Sequence, residues 1–342
     1  MRALAGPLLG AAVMMADMAP AETSHRMLAW SDLAGWETDD HGEALATFRE
    51  TCTDLIDLEW AKLCAVAADQ TDARSFFELF FRPVLIEDGA PALFTGYFEP
   101  ELVGSREPSA RFRFPIYRRP PDLAEGEPWH SRADIELLGV LDGRGLEIAW
   151  LEDAVDVFFL HIQGSGRISL AEGGAVRVGY SAKNGHEYRS VGQEMVRRGL
   201  YASHEVSAAT IRHWVKRNPE AGADLLRHNP SYVFFREVSE VPADRGPLGA
   251  MNRSVTPMRT IAVDPDIVPL GAPVWIEKDG RQPMRRLMVA QDTGSAIKGA
   301  QRADIFFGTG RKAGRAAGEI KDPGRMVVLL PIRNALALAP GG

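Results

Sequence analysis

The chain has 342 residues, a formal net charge of -7, 45% hydrophobic residues and 25% charged residues. Those values suit a soluble globular protein with room for two domains, although one large domain also fits. The acidic balance argues against a dedicated nucleic-acid binder, which would carry a basic stripe. The only cysteines, Cys52 and Cys64, are too few for a four-thiolate zinc site.

The N-terminus joins Met1-Arg2 to an apolar run, Ala3 to Ala16, that is too short to span a bilayer. Ala19-Pro20-Ala21 follows with small residues at the positions that signal peptidase reads, so residues 1–21 are expected to be a secretory signal. No cysteine lies near that cleavage site, so lipid attachment there is not expected. Apolar residues at helical spacing from Ala44 to Ala68 (Leu45, Phe48, Cys52, Leu55, Leu58) predict one or two helices. A straight helix would separate Cys52 and Cys64 by about 18 Å, against the roughly 7 Å that a bridge tolerates. A disulfide therefore requires the segment to bend, and two buried free thiols are the alternative. A second apolar helix is expected through Phe76, Phe77, Leu79 and Phe80, ended by Pro83.

From Ala92 the pattern turns β-like. Leu93 to Pro100 reads as a strand, Phe112 to Pro121 as a Pro/Arg-rich stretch with an extended linker at Tyr117–Pro121, and Asp153 to Ile162 as a dense apolar strand running into Gln163-Gly164-Ser165-Gly166. A hairpin is expected from Arg167–Leu170 through Glu172-Gly173-Gly174 to Ala175–Tyr180, then helices at Ser190–Arg198 and Ser207–Arg217. Strands follow at Arg259–Asp264, Pro273–Glu277, Arg286–Gln291, Arg302–Phe307 and Arg325–Leu330, with a Gly/Ala-rich helix from Gly310 to Gly318. Many short strands with Gly and Pro turns suggest a small barrel more than a doubly wound sheet.

The sharpest chemical feature lies near the C-terminus. One apolar strand delivers Asp292 to the turn Thr293-Gly294, and a second delivers Asp304 mid-strand. Period-two alternation puts Ala303, Ile305 and Phe307 on one face and Asp304 on the other. Two carboxylates brought close would raise the pKa of one, keeping an acid protonated near neutral pH. Asp292 equally suits a turn-forming role, and Asp304 a salt bridge to Arg302 or Arg311. Asp-Thr-Gly-Ser is also an aspartic-protease signature, but that chemistry needs a second such loop, which this chain lacks. Ser165 is not in a Gly-x-Ser-x-Gly elbow. The neighbouring glycines lack phosphate-loop spacing, no His-x-x-x-His pair suggests a zinc hydrolase, and the Asp292–Asp304 segment lacks calcium-loop alternation.

Several blocks together resemble the membrane-bound lytic murein transglycosylase A family with its C-terminal three-aspartate domain. They are Phe94–Pro100, Phe159–Gly166, Val178–Gly185, Asn229–Phe235, Arg259–Asp264, and Asp292–Gly299 with Ala303–Phe306. The resemblance implies a mainly β fold with flanking helices, in which a double-psi β-barrel domain (22–104 and 229–335) carries a smaller inserted β-barrel domain (105–228). It implies Asp304 as catalytic acid, Asp264 and Asp292 as companions, and a groove formed by Thr95, Gly96, Tyr97, Gln163, Gly164, Ser165 and Gly294. Tyr97, Phe98 and Tyr180 are candidate sugar-ring platforms, with core packing as the alternative.

The activity implied is cleavage of the β-1,4 bond between N-acetylmuramic acid and N-acetylglucosamine, leaving 1,6-anhydro ends, without metal or cofactor. A non-catalytic wall-binding barrel and a hydrolytic muramidase are the alternatives. The implied partners are peptidoglycan strands and complexes of cell-wall synthesis or hydrolysis enzymes, with no nucleic acid. The implied location is the periplasm of a Gram-negative bacterium. Unlike several lipoprotein members, this chain offers no lipid-accepting cysteine near its start.

Overall fold

The computed structural model describes residues 23–55, 57–124 and 126–338; the expected signal at 1–21 lies outside the described residues. Strands β1 (Ser24–Met27), β2 (Phe81–Glu87) and β3 (Leu93–Glu99) open the chain, with helices α1 (His41–Thr51), α2 (Leu58–Asp69) and α3 (Ala73–Phe80) between the first two. The helical stretch around the cysteines is thus two helices. Each of the three starts on an aspartate, Asp40, Asp57 or Asp72, whose carboxylate takes first-turn N–H groups. The break between α1 and α2 brings Cys52 and Cys64 to a Cα separation of 5.4 Å, and they are bonded as a disulfide. Helix α3 stops at Phe80, before Pro83, which sits inside β2.

A second group of strands follows: β4 (Glu101–Ser105), β5 (Phe114–Tyr117), β6 (Glu147–Leu151), β7 (Ser165–Leu170), β8 (Ala175–Lys183) and β9 (Val233–Glu237). They form one six-stranded sheet in the order β5-β6-β4-β7-β8-β9. Strand β5 lies in the Pro/Arg-rich stretch and ends at Tyr117, where the expected linker Tyr117–Pro121 begins. Helices α4 (Arg132–Leu138), α5 (Ala154–Gln163), α6 (Val191–Arg197), α7 (Ala208–Arg217) and α8 (Pro219–Arg227) accompany this sheet.

The expected strand at Asp153–Ile162 is instead helix α5. A continuous apolar run suits a helix buried on most sides as well as a buried strand. Here Val155 and Phe158 pack among α6, α7 and α8, while Val157 and Leu160 pack on the sheet. Gly164, at φ +74°, ends the helix in the left-handed conformation that glycine adopts without strain.

The chain then returns to the first sheet with β10 (Thr260–Val263), β11 (Pro273–Lys278), β12 (Met284–Thr293), β13 (Arg302–Thr309), helix α9 (Gly310–Gly318), β14 (Lys321–Asp322), β15 (Gly324–Pro331) and helix α10 (Ile332–Ala337). Nine strands line up as β1-β2-β15-β11-β12-β10-β13-β3-β14. At the centre, β10 and β13 are antiparallel, and each pairs in parallel on its other side, with β12 and β3 respectively. The fold is mainly β with flanking helices. The hydrogen-bonded order is linear, with no pairing between β1 and β14 among the described residues. The main core lies between this sheet and α1–α3, around Phe48, Phe76, Phe77, Phe81 and Trp275.

Only Pro100 separates β3 of one sheet from β4 of the other. Beside that crossing, the fully buried Glu99 accepts from Arg177 Nε (2.6 Å), Arg177 Nη2 (2.8 Å), Arg167 Nε (2.9 Å) and the Thr309 hydroxyl (2.8 Å). A buried carboxylate needs such compensation, and here the compensation ties β7 and β8 of the small sheet to β13 of the large one.

Replacing both Cys52 and Cys64 by alanine is expected to lower unfolding stability by about 3 kcal/mol, from the twelve-residue separation that the bridge closes. Urea denaturation reads this, and equal midpoints for the two proteins would contradict it.

Candidate active site

The register of the central strands sets the site. Asp304 on β13 stands opposite Ala262 on β10 and opposite Thr95 on β3. Ala262 in turn stands opposite Asp292 on β12. Asp292, Ala262, Asp304 and Thr95 therefore form one row across four strands, with side chains on one face. The two aspartate Cα atoms are two strand spacings apart, about 10 Å, with Ala262 as the residue between them in the row.

A register shift between Ile261 and Ala262 makes this row: Ile261 pairs with Ala290 and Ala262 with Asp292, so Gln291 is the extra, bulged residue. A bulge re-aims the side chains that follow it. Gln291 is fully buried, accepts from the Thr260 hydroxyl and donates to the Thr47 carbonyl on α1 (3.3 Å). The helical layer thereby fixes the irregularity that aims Asp292.

On β13 the expected alternation holds: Ala303 and Ile305 enter the main core, while Asp304 lies on the other face, half-buried beside Phe306. Asp304 Oδ1 accepts the Thr95 hydroxyl at 2.5 Å, and Arg302 Nη2 donates to the same hydroxyl oxygen at 2.8 Å. Arg302 thus reaches Asp304 through Thr95, and the salt bridge to Arg302 or Arg311 is absent among the described residues. Burial pushes the Asp304 carboxyl above its ordinary value, opposed by the Thr95 hydrogen bond and the Arg302 charge.

Asp292 is held differently. Oδ1 takes the Ala250 N–H (3.0 Å) and the Thr293 N–H (2.9 Å), and Oδ2 takes the Tyr97 hydroxyl (2.9 Å). Burial pushes its carboxyl up to about 6 against these three donors, with a smaller push from Asp304. Burial, and then the Asp292 charge, push the Tyr97 phenol far above its usual range, so it stays a neutral donor. Tyr97 packs with Val255, Ala262, Ile297 and Phe306 in a small apolar cluster beside the carboxylates.

The other expected residues divide. Gln163 Oε1 accepts the Phe98 N–H (2.9 Å), which places the end of α5, with Gly164 and Ser165 after it, against β3. The half-exposed Tyr180 lies beside Gly164, where an added Cβ would come 3.9 Å from its Cβ. Gly96 faces away: a Cβ there would sit 2.7 Å from Ala317 Cα and 2.9 Å from Ala317 O on α9. Phe98 shares that face against Gly314, and Tyr97 is buried, so of the three candidate platforms only Tyr180 is exposed.

Asp264 accepts from Lys298 Nζ (2.8 Å) and the Gly299 N–H (3.0 Å), which pins the loop that begins at Gly294. Although burial raises its carboxyl, the Lys298 bond and the Gly299 and Asp266 N–H groups leave it below the ordinary value. It has no hydrogen bond to Asp292 or Asp304 among the described residues. The Ala250 N–H, the Gln291 bulge and the Arg302–Thr95 contact were not foreseen. A backbone donor leaves no residue-type signal in a sequence, and the Arg302–Thr95 contact depends on the pairing of β13 with β3.

Models of two families match the chain: the MltA specific insert domain over residues 93–236 and the 3D domain over residues 259–330. The membrane-bound lytic murein transglycosylase A of Vibrio cholerae is 34% identical over 258 residues, covering 72% of this chain and 67% of that protein. Among solved structures, a membrane-bound lytic murein transglycosylase from Agrobacterium tumefaciens superposes with a TM-score of 0.82 at 32% identity, covering 92% of this chain and 99% of that one. Escherichia coli MltA with bound chitohexaose gives 0.70 at 30% identity, covering 85% and 90%.

Gly96→Ala tests the assignment of Gly96 to packing. It is expected to cost about 1–3 kcal/mol through displacement of α9, seen in thermal unfolding, with no selective loss of glycan binding. Unchanged stability with weakened glycan binding would return Gly96 to the groove.

Proposed function

The chain belongs to the membrane-bound lytic murein transglycosylase A family, and from that premise we propose that it cleaves the β-1,4 bond between N-acetylmuramic acid and N-acetylglucosamine, with Asp304 as the sole acid and base. The carrying observation is the contrast between the two aspartates. Asp292 already accepts three donors, whereas Asp304 accepts one and keeps Oδ2 without a hydrogen-bond partner among the described residues.

A hydrolytic glycosidase needs a second carboxylate free to attack or to activate water. Asp292, committed to Tyr97, Ala250 and Thr293, is poorly placed for that role. In the transglycosylase reaction the substrate supplies the second group. Protonated Asp304 donates its proton to the bridging oxygen as the bond from C1 breaks, releasing the N-acetylglucosamine 4-hydroxyl. The carboxylate then takes the proton of the muramic 6-hydroxyl as that oxygen bonds to C1. Proton count closes without water, and the product is a 1,6-anhydro end. Holding the 6-hydroxyl near C1 supplies a high effective molarity, and a glycan covering the half-buried Asp304 would raise its carboxyl further by desolvation.

The glycan would run past Thr95 and across Gln163, Gly164 and Ser165, with Tyr180 offering a ring face. Tyr97 and Asp292 would line its floor, and Asp264 would shape the Gly294 loop. The two sheets would act as two domains, the second inserted into the first, with the cleft where β3 meets the end of α5. The working place would be the periplasm. The disulfide supports an oxidising compartment, and no described helix is long and apolar enough to cross a membrane. Docking to other cell-wall enzymes would follow from that location.

Asp304→Asn is expected to reduce release of soluble muropeptides from purified sacculi by roughly 10²–10⁴-fold while sedimentation with sacculi persists. Turnover near the wild-type rate would remove Asp304 from the role.

A further inference from the structure

The segment between β9 and β10 contains a short hairpin, closed by a bridge between Leu248 and Ser254 and by the Gly249 N–H on the Arg253 carbonyl (2.9 Å). Its tip lies on the β12 bulge. The Met251 N–H donates to Gln291 O (3.3 Å), and the Ala250 N–H to Asp292 Oδ1 (3.0 Å). The approach is close enough to require glycine: a Cβ on Gly249 would meet Gln291 O at 2.8 Å and Asp292 Cγ at 3.3 Å.

Two polar anchors hold the tip from outside. Arg253 makes a two-point ion pair with Asp54, just beyond α1 (Nε–Oδ2 2.6 Å, Nη2–Oδ1 3.1 Å), and Arg236 on β9 donates to Asn252 Oδ1 (3.1 Å). Asn252 has φ +54°, a conformation that the anchored turn must maintain. Asp54 lies two residues beyond Cys52, whose disulfide to Cys64 fixes that end of α1.

We propose that Arg253 is a positioning residue: through its ion pair with Asp54 it presses the hairpin tip onto β12, and the Ala250 N–H thereby sets the proton affinity of Asp292. The inference rests on Asp292 belonging to the site but not on Asp304 being the acid. The groups facing Asp292 are Tyr97 from β3, Asp304 from β13 and the N–H groups of Ala250 and Thr293; β10 offers only Ala262. An N–H donor favours the charged carboxylate, so its retreat moves the titration upward. One charge-assisted hydrogen bond corresponds to about tenfold in the acid constant.

The experiment is a carboxyl-carbon NMR titration of Asp292 in the full chain, in wild type, Arg253→Ala, Asp54→Asn and Arg253→Lys, with turnover measured across pH. In wild type the midpoint should lie near 6. Arg253→Ala and Asp54→Asn should raise it by about tenfold in acid constant, shift the corresponding limb of the turnover profile in the same direction, and leave thermal unfolding nearly unchanged. Arg253→Lys should recover part of the shift. An unchanged midpoint in both broken-pair variants overturns the proposal, as does a fall in activity uniform across pH. Repeating the titration on an Asp304→Asn background keeps the test readable even if Asp304 is not the acid.

Discussion

Everything at the site depends on the register of four central strands. Side chains alternate faces along a strand, so a slip of one residue would turn Asp304 into the core and bring Ala303 or Ile305 to the face that Asp304 occupies. Pairing with β10 on one side and β3 on the other prevents the slip, and the burial of Ala303 and Ile305 opposes it energetically. On the next strand the same row is completed by an irregularity. Without the bulged Gln291, Ala262 would face glutamine instead of Asp292. The two carboxylates therefore share a face because β13 is regular around Asp304 while β12 is bulged just before Asp292.

The surrounding structure serves that row. The helices α1–α3 anchor Gln291 through the Thr47 carbonyl. The buried Glu99 holds two guanidiniums of the small sheet at the point where the chain crosses between sheets. Those guanidiniums also donate to the carbonyl of Arg245, at the start of the segment that leads to the hairpin over Asp292. Elements from three parts of the sequence are thus tied to strands of the row: α1 through the Gln291–Thr47 hydrogen bond, the small sheet through the Glu99 ion pairs, and the hairpin through the Ala250 N–H on Asp292.

Much of this was legible in the sequence because it depends on local pattern. The alternation Ala303-Asp304-Ile305 gave the orientation of Asp304, the Glu172-Gly173-Gly174 turn gave the β7–β8 hairpin, and Ser207 marked the start of α7. What escaped depends on tertiary context. The apolar run of α5 reads identically as strand or helix until its neighbours are known, and Gly96 shows its reason only when α9 is laid against it. The Gln291 bulge and the Ala250 N–H carry no residue-type mark at all. The companion aspartates also differ more than their motifs suggest, since Asp264 organises a loop while Asp292 shares the row.

The chemical consequence is a division of labour between like groups. On the proposed reading Asp292, held by three donors, sets the electrostatic surroundings, while Asp304, whose Oδ2 has no hydrogen-bond partner among the described residues, moves the proton. Digestion of purified sacculi in water enriched in heavy oxygen tests this most directly. Closure of the muramic 6-hydroxyl on C1 requires that the new ends carry no label from solvent. Incorporation of heavy oxygen at C1 would mean that water attacks, and would contradict the lone-carboxyl mechanism.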